Sequence, residues 1–125
     1  MGVHSVYLLV QAAPKSPRRR VYVGYTGIGP QRRLDEYHNR GLEPATVDGQ
    51  PWQLGAVVAG FKTKGQALAY ESQLQQQPAR GLRQKHAQAV ALAAGPRWRH
   101  LDLVVETMPA TDPPNPFAQV CALEP

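Results

Sequence analysis

The sequence predicts an α/β protein of the α+β kind, with a small, mainly antiparallel three-stranded sheet flanked by helices. Three observations carry that expectation. Two β-rich runs, residues 6–10 and 21–25, follow one another across a basic turn, which is the pattern of an antiparallel hairpin. A third run of the same character spans residues 54–61. Between and after these runs, apolar residues recur at helical spacing, giving the order β-β-α-β-α-α.

The first strand, Val6-Tyr7-Leu8-Leu9-Val10, is short and continuously apolar, which fits a buried strand. Pro14 and Pro17 lie in the turn that follows, where a missing backbone donor does not interrupt a ladder. The second strand is Val21-Tyr22-Val23-Gly24-Tyr25, broken by Thr26-Gly27-Ile28-Gly29-Pro30. Pro30 suits the first turn of a helix, because the donor it lacks would be unpaired there anyway. Leu34, Tyr37 and His38 continue that helix, and Gly41 marks its stop.

Residues 42–53 form a long polar loop ahead of the third strand. A helix over 64–77 turns Ala67, Tyr70 and Leu74 inward and ends at Pro78. Another over 80–94 turns Leu82, His86, Ala89, Val90 and Ala93 inward and ends at Gly95-Pro96. Residues 101–105 suggest a short final strand.

A length of 125 residues fits one domain, assigned to 1–106, with a Pro-rich C-terminal tail over 107–125. Cys121 stands alone, which excludes an internal disulfide framework and a cysteine-built zinc cluster. That usage fits a reducing, intracellular compartment, nuclear if the source is eukaryotic. No apolar run approaches the roughly 20 residues needed to cross a bilayer, so no membrane partner is expected. Fourteen Lys and Arg against nine Asp and Glu leave a formal charge of +5, which favours polyanionic partners through counterion release.

The ordered motifs narrow this further. Val6-Tyr7-Leu8 carries a tyrosine at the centre of the first strand, Tyr22-Val23-Gly24 lies on the second, an arginine-bearing helix follows, and Glu71 lies on a later helix. This set resembles the GIY-YIG nuclease superfamily. The strings Arg20-Val21-Tyr22-Val23-Gly24-Tyr25-Thr26, Arg32-Arg33-Leu34, His38-Asn39, Pro51-Trp52 and Tyr70-Glu71 resemble most the nuclease domain of the Slx-type structure-specific endonuclease subunit. The resemblance covers about residues 5–80. The chain departs from the family in carrying Ser5-Val6 in place of Gly-Ile, and in a loop one residue longer before the first helix. Slx-type members also carry a C-terminal RING-like zinc domain, for which this sequence has no cysteine set.

The resemblance implies hydrolysis of DNA phosphodiesters, branched or flapped DNA in repair or recombination, with a divalent metal, Mg²⁺ or Mn²⁺. Such chemistry needs a Lewis acid on the phosphate, a cation for developing charge and a base for water. Glu71 is the metal ligand that the motif set implies. Arg33 is the preferred phosphate clamp, since a guanidinium stays charged and engages two oxygens together. Arg32 is its rival, because it keeps the usual distance from Gly24 whereas Arg33 keeps the usual apolar neighbour, Leu34. Tyr7 and Tyr22 are assigned to water activation and phosphate positioning. Tyr37, four residues after Arg33, and His38, five after it, both compete for a further catalytic place, with His38 a candidate proton shuttle.

Lys15, Arg18, Arg19 and Arg20 form a basic turn suited to gripping phosphates without reading bases, with Arg32 a further DNA contact. Trp52 is a candidate for stacking on an unpaired base, or else a plug at the core edge. The competing function is a nucleic-acid-binding module with the nuclease fold that cleaves poorly without a partner, such as a scaffold subunit.

Overall fold

A computed structural model of the chain describes residues 4–12, 20–42, 46 and 51–108. Two strands, β1 (Ser5–Gln11) and β2 (Val21–Thr26), form the expected hairpin. A short helix α1 (Pro30–Arg33) continues directly into a π-helical turn, Leu34–His38. Then come β3 (Trp52–Ala59), α2 (Lys64–Gln75), α3 (Leu82–Ala93), a 3-10 turn (Arg99–Leu101) and β4 (Val104–Thr107). Pro30 opens α1 as its composition requires, and Thr63 caps α2 by accepting from the Gln66 backbone N–H at 3.1 Å.

The sheet has four strands, not three, in the order β2-β1-β3-β4, all antiparallel. The extra strand arises because Asp102 takes a left-handed conformation at φ 53, which ends the 3-10 turn and swings the chain back along β3. The final strand therefore begins at Val104, and Leu101 belongs to the turn before it. Met108 still donates to the Gly55 carbonyl at 3.0 Å, and the rest of the Pro-rich segment lies outside the described residues.

β1 is central and buried on both faces, which is why its sequence reads as an unbroken apolar run. Strand alternation then splits its residues. Val6 and Leu8 face a large core with Val23, Ala56, Val58 and the buried stripe of α2, Ala67, Tyr70 and Leu74. Tyr7 and Leu9 face the opposite side, where they meet Leu34 and Trp52 beneath α1 and the π turn. The site described below grows from this second, smaller face.

Two features fix α2. Tyr70 packs edge-on against Phe61 and Trp98, and its hydroxyl donates to the Ala89 carbonyl at 2.6 Å. Burial raises the phenol's pKa above its usual value. Lys85 on α3 is buried, and its ammonium donates to the Leu74 carbonyl at 2.8 Å and to the Gln77 carbonyl. It ties down the carbonyls at and just after the C-terminus of α2, although desolvation lowers its pKa. The inward face of α3 differs from the periodic expectation for the same reason. Lys85, Ala89 and Ala93 are buried, while Val90 is exposed.

Candidate active site

Tyr7 pairs with Gly24 across the β1–β2 ladder, and both point to the α1 face. The Tyr7 ring lies across Gly24. A Cβ built there would stand 2.5 Å from both Cζ and the hydroxyl oxygen of Tyr7, and 2.9 Å from Cε2 of Tyr22. The glycine of the second motif is thus required by close approach of a side chain, not by a turn. Tyr22, two residues before Gly24 on the same face, sets its ring 6.4 Å from that of Tyr7.

The π turn brings the third group in. Its defining bond runs from Asn39 N–H to the Leu34 carbonyl at 2.9 Å, one residue further than an α-helix reaches. His38 is fully buried, its Nε2 2.6 Å from the Tyr7 hydroxyl and its ring 5.2 Å from that of Tyr22. Its Nδ1 lies 2.8 Å from the hydroxyl of Thr46. Next to it, Asn39 clamps the start of β3, accepting from Trp52 N–H at 2.7 Å and donating to the Trp52 carbonyl at 2.9 Å.

The π turn gives Tyr37 and His38 different neighbours. His38 meets Tyr7. Tyr37 instead lies under Arg33, whose guanidinium carbon is 4.2 Å from the Tyr37 ring centre. Arg33 is half-buried. Arg32 is exposed and ion-paired to Glu36 at 3.0 Å, an ordinary surface pair one helical turn apart.

Glu71 comes from the other side of the sheet. One turn after it on the same face of α2, Gln75 donates to the Val23 carbonyl at 2.9 Å, on the outer edge of β2. Glu71 therefore lies on the turn of α2 that runs beside β2, and it is half-buried. Among the described residues no cluster of three or more His, Cys, Asp or Glu side chains assembles. One carboxylate of this kind suits a divalent cation that keeps most of its water and shares the substrate phosphate.

Of the basic turn, Arg20 is exposed, with its guanidinium carbon 5.6 Å from the Trp52 ring, while Lys15, Arg18 and Arg19 lie outside the described residues. Trp52 is a core plug and does not offer a face for an unpaired base. It is buried, packs with Tyr7, Leu9 and Leu34, and donates from Nε1 to the Thr46 carbonyl at 2.8 Å. Thr46 is the residue that sequence reasoning missed. It sits in a polar loop with no periodicity to mark it, and only its distance from Trp52 in the chain hints at the contact.

The tyrosine pair on a β-hairpin, the helix arginine and the distant glutamate define a GIY-YIG catalytic domain, and the chain belongs to that family, its residues 3–85 matching the family. Its curated relatives include the Structure-specific endonuclease subunit SLX1 homolog of Drosophila persimilis, 37% identical over 78 residues, covering 58% of this chain and 26% of that protein. The protein of the same name from Giardia intestinalis is 38% identical over 73 residues, covering 56% of this chain and 20% of that protein. The protein from Drosophila mojavensis is 38% identical over 78 residues, covering 58% and 25%. The matched segment thus spans about a quarter of the length of these relatives or less.

Proposed function

We propose that the chain is a metal-dependent DNA endonuclease domain that hydrolyses phosphodiesters in branched or flapped DNA, in the setting of repair or recombination. The observation that carries the reading is the contact between the Tyr7 hydroxyl and His38 Nε2 at 2.6 Å, beside Tyr22 and one π turn from Arg33.

A phenol with a pKa near 10 is a weak base at neutral pH, and a proton acceptor at hydrogen-bond distance makes it a usable one. In this reading water gives a proton to the Tyr7 oxygen as the Tyr7 proton passes to His38. Gly24 leaves room for that oxygen, since any Cβ would stand on it. Tyr22 donates to a phosphate oxygen. Arg33 supplies a fixed positive fork for the charge that develops on the phosphate, and Tyr37 holds the guanidinium flat. Glu71 would hold a divalent cation, Mg²⁺ or Mn²⁺, which when bound polarises the phosphoryl oxygens. Arg20 and its basic neighbours grip backbone phosphates away from the bond to be cut.

Partner dependence is a second reading, favoured by one fact. The relatives are named as subunits, and the matched segment covers about a quarter of their length or less. In that case the domain binds branched DNA alone but cleaves it slowly until a scaffold subunit is present.

The deciding experiment is single-turnover cleavage of a fluorescent flap and a matched linear duplex, with Mg²⁺, with Mn²⁺ and with chelator. Metal-dependent cutting of the flap supports the reading. Tight, salt-sensitive binding with no cutting under any metal would replace it with the binding-module reading.

A further inference from the structure

We propose that Thr46 is a positioning residue that fixes the tautomer of His38, leaving Nε2 free of its own proton and aimed at Tyr7. The inference rests on the reading of Tyr7 and His38 as the water-activating pair.

A neutral imidazole has one nitrogen that donates and one that accepts, and the partner of one nitrogen decides the state of the other. Both nitrogens of His38 face hydroxyl oxygens, Tyr7 at 2.6 Å and Thr46 at 2.8 Å. Hydroxyls donate or accept, so distance alone permits either tautomer. The chemistry of the two partners breaks the tie. A phenol is a far stronger acid than an aliphatic alcohol, so the phenol gives its hydrogen to the imidazole lone pair and the alcohol oxygen takes the ring N–H. The shorter of the two distances is the one to the phenol.

Thr46 is held well enough to impose that choice. It is fully buried, and its carbonyl accepts from Trp52 Nε1 at 2.8 Å. The Trp52 backbone is in turn clamped by Asn39, the neighbour of His38. The chain of contacts from His38 through Thr46 and Trp52 to Asn39 closes on itself, so the Thr46 backbone is anchored beside His38 and its hydroxyl stands within reach of Nδ1. During turnover, water loses one proton to the phenol oxygen and the phenol passes one to Nε2. The ring then carries both protons, with Nδ1–H still on Thr46, and releases the extra one to solvent when product leaves.

The test is a long-range proton–nitrogen correlation spectrum of the histidine rings in the full chain, with His38 assigned from its absence in His38→Gln. The expected wild-type ring is protonated on Nδ1. In Thr46→Val the ring moves toward the Nε2-protonated form, and single-turnover cleavage falls about 10- to 100-fold, the usual scale for losing such a supporting bond, with DNA affinity unchanged. Thr46→Ser restores both. A wild-type ring protonated on Nε2 overturns the proposal, as does a valine variant with unaltered ring signals and rate. A ring in the expected form, in a chain that cuts no DNA with any metal, overturns the nuclease reading and not the hydrogen-bond assignment.

Discussion

Replacing Gly24 with alanine tests the geometry on which the site depends. The new methyl carbon would stand 2.5 Å from two atoms of the Tyr7 ring and 2.9 Å from the Tyr22 ring. An ordinary contact needs about 3.4 Å or more, so Tyr7 must retreat by roughly 1 Å. It has nowhere to go, being 1% exposed, with Leu9, Leu34 and Trp52 around it and His38 bonded to its tip. Overpacking of that kind costs about 1–3 kcal/mol, which at this chain length lowers Tm by roughly 4–10 °C. A 1 Å displacement of a reacting group costs on the order of 10²-fold in rate. Gly65→Ala is the control, because its Cβ meets only the Thr63 hydroxyl at 3.9 Å, an ordinary contact on an exposed first turn of helix. The pair is compared by thermal melting followed by circular dichroism, and by single-turnover flap cleavage at a temperature where both are folded. The reasoning fails if Gly24→Ala melts and cuts like the wild type. It also fails if both alanine variants lose stability alike, since crowding against Tyr7 would then not be the cause.

Other outcomes follow from the same site. Arg33→Ala should slow saturated single-turnover cleavage by on the order of 10²-fold or more, while Arg32→Ala, which loses one exposed ion pair with Glu36, should change it little; the reverse order would put the clamp at Arg32. Tyr37→Phe keeps the ring under Arg33 and should keep the rate, whereas Tyr37→Leu should lower it about tenfold; a dead phenylalanine variant would make the phenol itself a reacting group. Glu71→Gln should abolish metal-dependent cutting and leave DNA affinity nearly intact, as read by fluorescence anisotropy. Alkaline stability gives an independent check on α2. The Tyr70 phenol has a raised pKa when folded, so it stabilises the fold fully below its usual value near 10, and that contribution is lost as pH rises beyond it. Melts of Tyr70→Phe should show a flatter decline above pH 10 than wild type.

Much of the fold was legible because it obeys local rules. The both-faces burial of β1 wrote itself as Val6-Tyr7-Leu8-Leu9-Val10, and the α2 stripe as Ala67, Tyr70 and Leu74. What escaped was long-range. A short final strand was legible at 101–105, but not that it joins the sheet: its start at Val104 depends on a left-handed Asp102, a conformation no pattern announces, and it pairs with β3 across about 45 residues of chain. Lys85 was also hidden, because a lysine on an inward face contradicts periodicity until the carbonyls at the end of α2 that it bonds are in view.

The site shows the same division at closer range. Sequence spacing put Tyr37 at i+4 and His38 at i+5 from Arg33 and left one place for the two of them, because an α-helix presents only one ring to a given neighbour. A π turn relaxes that limit, since its wider winding lets consecutive residues serve one side of the helix. Tyr37 then supports the arginine while His38 bonds the strand tyrosine, so in the proposed mechanism two separable tasks, holding the charge and handling the proton, would fall to adjacent residues. π-Helical turns are rare and poorly favoured on their own. This one is held at both ends, by Leu34 packed against Tyr7 and Leu9 and by Asn39 clamped to Trp52. Loosening the Asn39 clamp should therefore cost His38 its contact with Tyr7 before it costs Arg33 its stack on Tyr37, because the clamp acts at the histidine end of the turn.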